Sequence, residues 1–315
     1  MKNFKWKDDI YPHLQTDIKS AINKLPCGVL SNVTEIRVRS NGIVSVSQGN
    51  KNVILCDDNK RPINTTKADC ESIFTSICGG TVYKYENQIR NGYITISGGH
   101  RVGFCGTAVY DGNKLISIKD ISSIAFRISR EIKNAAREII GNLVSDDKIY
   151  SALIVSEPCG GKTTILSDLA RLMSNMGKRC AVVDERGEIC SVFNGVPQKD
   201  IGNLTDVLSG YNKSDGMLSA LRCLSPQLII CDEIGSQQDA DAMLEAMNAG
   251  VPVVATAHAS CEDELISRPQ IERLIDYGAV DKIFFLKGSS APGIVRKVIN
   301  VNRYDEDSWD SDDCD

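Results

Sequence analysis

A short apolar run, SALIVS (Ser151–Ser156), leads directly into EPCGGKTT and then into a stretch whose Ile165, Leu166, Leu169, Leu172, Met173 and Met176 recur on one helical face. A strand that turns through paired glycines into a helix can close in few ways. The loop fits the phosphate-binding pattern GxxxxGK[ST] at every position but the first, where Ser156 replaces glycine. Gly160 and Gly161 let backbone N–H groups turn toward a polyphosphate, Lys162 sets a cation at the β- and γ-phosphates, and the Thr163 hydroxyl suits Mg²⁺. Ser156 is compatible with this provided its position needs no positive φ. The expected nucleotide-binding segment is therefore Ser156, Glu157, Pro158, Cys159, Gly160, Gly161, Lys162, Thr163 and Thr164, with ATP and Mg²⁺ as ligands.

About 70 residues later, LIICDEIG supplies an apolar strand that ends in two carboxylates. Asp232 is expected to hold Mg²⁺, and Glu233, one residue further on, to orient and deprotonate the attacking water. Order, strand context and spacing make the two motifs far more specific together than either is alone. Three more elements follow other apolar runs. CAVVDERGEI puts Asp184, Glu185 and Arg186 at a strand end, where they either face the nucleotide or pair with one another. VPVVATAHAS puts His258 just past a strand, as a γ-phosphate sensor or a satisfied loop histidine. Arg222, in SALRCLSPQ, is a charge stabiliser in its own subunit or across an interface, or else a helix C-terminal cation.

From Tyr150 onward, short β-branched runs alternate with amphipathic helices, which predicts a mainly parallel sheet covered on both faces. Before it the pattern is mixed. EIRVRS and IVSVSQ alternate as half-buried strands, TTKADCESIFTSICGG reads as a capped helix, and the Asp111-Gly112 pair marks a hairpin. Helical spacing also runs through REIKNAAREIIGNL, Arg130 to Leu143. The expected fold is α/β: a smaller α+β N-terminal domain over 1–140, a RecA-like P-loop ATPase domain over 141–303, and an acidic disordered tail over 304–315.

Charge and cysteines narrow the function classes. Net charge is −5, but the tail alone holds six Asp and one Glu without a base, so the remainder is mildly positive. An acidic balance with a pI of about 5.4 argues against a general nucleic-acid binder, whose phosphate contacts need clustered Lys and Arg. The 12 cysteines are scattered without a CxxC pair, which argues against structural zinc or a disulfide framework and for buried thiols such as Cys180, Cys190 and Cys231. No apolar stretch is long enough to span a membrane and the N-terminus is not a secretory signal, so a cytoplasmic protein without direct membrane insertion is expected.

Across both halves, EIRVR, GYITISGGHRVGFCG, IKDISSIAFRISREI, GGKTTILSDLAR, VVDERGEI, LRCLSPQLIICDEIG, EAMNAGVPVVATAHA and RPQIERLIDYGAVDKIFFL resemble the stage III sporulation protein AA family, relatives of the type II and type IV secretion ATPases. The resemblance implies a mother-cell ATPase, a homohexameric ring recruited to membrane-embedded channel proteins between mother cell and forespore. It assigns Asp184, Glu185 and Arg186 to an acidic box and His258 to a histidine box. Fold alone does not fix function, so a nucleic-acid-dependent RecA-fold ATPase and a slowly hydrolysing assembly scaffold stand as alternatives. The acidic pI counts against the first and Glu233 against the second. A further expectation is that Arg101, on the glycine-flanked SGGHRVG, either reaches a nucleotide or neighbouring subunit or is simply solvated.

Overall fold

The computed structural model describes residues 4–49, 51–81, 85, 88–89 and 92–301; the acidic tail over 304–315 lies outside them. The chain forms two compact units, one made of residues up to Arg130 plus Ser191–Gln198, the other of Glu131–Cys190 and Lys199 onward.

The first unit is built on a six-stranded antiparallel sheet in the order Lys51–Ile54, Ser45–Gln48, Glu35–Arg39, Lys114–Arg127, Arg101–Asp111, Tyr93–Thr95. Alternation does what it should here: Ile36 and Val38 are fully buried, and the residues between them are not. The long hairpin turns at Gly112 and Asn113, with Asp111 opposite Lys114 and Gly112 at φ 57°. Helix Lys67–Ile77 starts where Thr66 accepts the Asp69 N–H and the Asp69 carboxylate returns to the Thr66 N–H. Its Ile73 and Ile77 join Ile10, Ile18, Val46 and Phe126 in one apolar core.

In the SGGHRVG segment, Ser97–Gly99 form one 3-10 turn with Gly98 and Gly99 at φ 73° and 72°. Neither position tolerates a side chain, since a Cβ on Gly98 would meet Asp9 at 2.3 Å and one on Gly99 would meet Ser191 at 2.9 Å. Arg101 opens the next strand and stacks on Tyr93, 4.7 Å from the ring centroid.

The second unit is the α/β, RecA-like part. Its seven strands run in the order Thr205–Ser209, Cys180–Asp184, Leu228–Glu233, Val253–Ala257, Ala152–Val155, Lys282–Leu286, Val295–Asn300, all parallel except the last. The central strands are buried on both faces, and helix packing on each side follows from that. Helix Lys162–Asn175 buries Ile165, Leu166, Leu169 and Met173, while Met176 at its C-cap is 48% exposed, because the apolar stripe runs out one turn before its pattern does. Cys180, Cys190 and Cys231 are buried as small apolar residues, and burial pushes the Cys180 thiol up to about 12.

One stretch departs from its helical spacing. Only Arg137–Leu143 is helical, and the preceding residues turn, with Asn134 at φ 65°. The Ala136 N–H donates to Asp168, and Arg171 is bonded to both Asp168 and the Asn134 side chain. A buried carboxylate that captures the first N–H of a helix fixes where the helix can begin, whatever the propensity upstream.

Candidate nucleotide-binding site

The phosphate loop and the ends of the neighbouring parallel strands enclose a cleft of about 590 Å³ within the second unit. Pro158 to Thr164 line one side, and Asp232, Glu233, Thr256 and His258 the other.

Ser156 shows how the loop accommodates its missing glycine. The residues in the left-handed region are Cys159, at φ 64°, and Gly161, at φ 90°; Ser156 is not one of them. The constraint has moved to Gly160, where a Cβ would come 1.8 Å from the buried and unpartnered Ser156 hydroxyl. Gly161 is held just as closely, because Gly293 donates its N–H to the Gly160 carbonyl at 2.9 Å and a Cβ on Gly161 would lie 2.7 Å from that nitrogen.

Lys162 is the first residue of its helix, and its ammonium group folds over the loop, donating to the carbonyls of Ser156 at 2.5 Å and Glu157 at 3.0 Å and to His258 Nδ1 at 2.9 Å. His258 Nδ1 also lies 3.2 Å from the Ser156 carbonyl, and its Nε2 lies 3.4 Å from Glu233 Oε2. His258 thus bridges the loop lysine and the strand-end carboxylate. Arg268 lies 3.9 Å from the other Glu233 oxygen. Burial, opposed in part by Glu233, lowers Lys162 to about 8.

Asp232 sits deeper. Burial raises its carboxyl to about 6; the Lys213 ammonium, 3.1 Å from Oδ1, opposes this, and the charges of Asp184 and Glu185 add to it. Lys213 also pairs with Glu185 at 2.6 Å, and these two carboxylates hold its ammonium above its ordinary value against the effect of burial. Thr163 and Asp232, a hydroxyl and a carboxylate that both line the cleft, fit a Mg²⁺ ion, which is usually held by one or two protein groups plus phosphates and water. Among the described residues no group of three or more His, Cys, Asp or Glu is arranged to hold a metal by itself.

The acidic segment divides its labour. Asp184 is fully buried, and its carboxylate accepts the N–H groups of Glu188, Ile189 and Cys190 at 2.8, 3.1 and 2.8 Å, so it closes the turn that follows its strand. Glu185 binds Lys213, and Arg186 lines the cleft. Asp184→Ala leaves three N–H groups without their acceptor, a loss of about 3 kcal/mol. At about 2–4 °C per kcal/mol for a unit of this size, the midpoint of thermal unfolding should fall by roughly 10 °C. A midpoint within one or two degrees of the parent, roughly the scatter of such scans, would show that the turn holds without the carboxylate.

The structure does not bring Arg222 to the cleft. It is exposed in the last turn of helix Lys213–Cys223, roughly 14 Å along the axis from Lys213. Two residues of the site carry no sequence pattern: Lys213, in the polar loop GYNKSDG, and Arg268, ahead of the helix-opening Pro269.

A phosphate loop and an acidic strand end facing each other on a mainly parallel sheet define the RecA-like P-loop ATPase fold. Solved structures agree on the fold. The chain superposes on the ATPase DotB of Yersinia pseudotuberculosis with a TM-score of 0.58 at 17% identity, over 93% of this chain and 81% of that one. It matches the pilus retraction motor PilT, solved with bound ADP, with a TM-score of 0.55 at 16% identity, over 85% and 76%. The chain belongs to the family described as sporulation stage III, protein AA, whose model matches residues 5–305. It is 33% identical to the stage III sporulation protein AA of Bacillus subtilis (strain 168) over 305 residues, 95% of each chain.

Proposed function

We propose that this protein binds Mg–ATP in the cleft and hydrolyses it, in a ring of identical subunits that energises a membrane-spanning channel between mother cell and forespore. The observation that carries the reading is the chain of contacts from Lys162 through His258 to Glu233, with Asp232 alongside. A cation for the terminal phosphates, a base for water and a group that touches both are what hydrolysis needs.

Lys162 leaves its loop carbonyls for the β- and γ-phosphates, and the loop N–H groups bind their oxygens. Thr163 and Asp232 would hold Mg²⁺, which when bound would supply charge neutralisation at the phosphates. Glu233 takes the proton of the attacking water, and His258, released from Lys162, reports the γ-phosphate to that base. A second cavity of about 510 Å³ shares Gly161 and Thr164 with the phosphate loop. Its Ile132, Ala135 and Ile294 suit a base, and Asn134 and Glu138 a ribose.

Because kcat/KM reports the free enzyme, its pH profile should be a bell. The acid limb falls as Asp232 takes up a proton near about 6, and the alkaline limb as Lys162 loses one near about 8. A plateau that continues well above the second value would show that Lys162 is not the ammonium that titrates.

In a ring each site is completed by a neighbour's charge, and Arg222, exposed and away from its own cleft, is suited to that role. Arg101 is a further candidate for a contact with a neighbouring subunit. Recruitment falls to membrane-embedded channel proteins, since no helix among the described residues is long and apolar enough to cross a membrane. The purified chain should accordingly stay in the supernatant with protein-free vesicles, and its hydrolysis should rise when the cytoplasmic part of a channel partner is added. Pelleting with bare vesicles would contradict recruitment through a protein.

A further inference from the structure

We propose that Lys213 guards the metal seat: its ammonium group holds Asp232 and Glu185 together until Mg²⁺ displaces it from Asp232. This rests on the nucleotide-site reading above and adds a residue to it.

Lys213 is an unexpected residue where it stands. It opens helix Lys213–Cys223, and the N-terminal end of a helix repels a cation. Its side chain is only 11% exposed, so the charge is not there for solvent. What holds it is a pair of carboxylates from two different strand ends, Glu185 at 2.6 Å and Asp232 at 3.1 Å.

Three neighbouring charges are already matched. Asp184 is satisfied by three backbone N–H groups, and Glu233 faces His258 and Arg268. Lys162 is spread over two carbonyls and a histidine nitrogen. Asp232 has Lys213 as its ionic partner, and it lines the same cleft as the phosphate-loop residue Thr163. A buried ammonium and a divalent ion on the same carboxylate compete, because like charges a few ångströms apart in a half-dry cleft repel strongly. Mg²⁺ therefore binds at the cost of the Lys213–Asp232 contact, and free Mg²⁺, without phosphates to help, should bind weakly.

The test reads Mg²⁺ alone. Titration calorimetry of the purified full chain with magnesium chloride, without nucleotide, should give weak binding for the parent and at least about tenfold tighter binding for Lys213→Met, since the competent fraction of the seat rises from below about one tenth to one. Mg²⁺ should also raise the unfolding temperature of Lys213→Met more than that of the parent, and Lys213→Arg should behave like the parent. Equal Mg²⁺ affinity in Lys213→Met and the parent overturns the guard. If Lys213→Met does not fold, the double variant Lys213→Met, Glu185→Gln removes one charge of each sign; it should bind Mg²⁺ more tightly than Glu185→Gln alone, and equal binding overturns the guard in the same way. A fluorescent ADP analogue titrated in the presence of EDTA separates this from the site itself. Analogue binding with no change in Mg²⁺ affinity sinks the guard and leaves the nucleotide site standing, whereas a parent that binds no analogue sinks both.

Discussion

Lys162→Ala should lower nucleotide affinity by at least about 100-fold, roughly 3 kcal/mol, the loss of charge-assisted bonds to two phosphates. Burial has already stripped this ammonium of much of its water, as its lowering to about 8 records, and its three present partners are two carbonyls and a histidine nitrogen. Such a group gains more from a phosphate than a solvated lysine does. The truncation leaves a small gap at the first residue of a helix that still buries Ile165, Leu166, Leu169 and Met173, so both units should stay folded. An equilibrium titration checks this, and unchanged affinity would remove the phosphate-loop assignment.

Glu233→Gln should spare binding and cost chemistry instead. The amide keeps the size of the side chain and its one oxygen can still accept a hydrogen bond at the site, so ATP should bind about as well as in the parent. It cannot accept a proton from water, and turnover should fall by about 10² to 10³-fold, the usual worth of a positioned base. Single-turnover phosphate release separates the two effects. A variant that hydrolyses at the parental rate would mean that the water is activated by another group.

Much of the site was legible because each part is a local pattern on a buried strand. SALIVS, CAVVD and LIICD are continuous β-branched runs, and a parallel sheet aligns their carboxyl ends, so Lys162, Asp184 and Asp232 had to approach one another. His258 followed from the same rule. Lys213 did not, since nothing in GYNKSDG marks a lysine that turns back into the sheet; it reaches the acidic residues because helix Lys213–Cys223 starts from the strand beside Cys180–Asp184. Arg268 is hidden for a similar reason, as a residue before proline looks like a helix boundary and nothing more.

The fold was legible to the same degree. Helix Lys67–Ile77 is legible from its capping residues, its helical apolar spacing and the two glycines that stop it. Thr205–Ser209 escaped notice because it is an edge strand with a single buried position, Leu208, so its alternation is too faint to read. The start of helix Arg137–Leu143 is set by Asp168, thirty-odd residues away in sequence, and no local window contains that bond.

Phosphate release by the purified chain, followed against protein concentration with light scattering on the same samples, is the most direct test of an ATPase completed by its neighbours. Hydrolysis should be low in dilute solution, rise steeply as rings form, require Mg²⁺, be lost in Glu233→Gln and be indifferent to single-stranded DNA. Full turnover in a sample that scatters as a monomer, or none at any concentration with ATP bound, would contradict it.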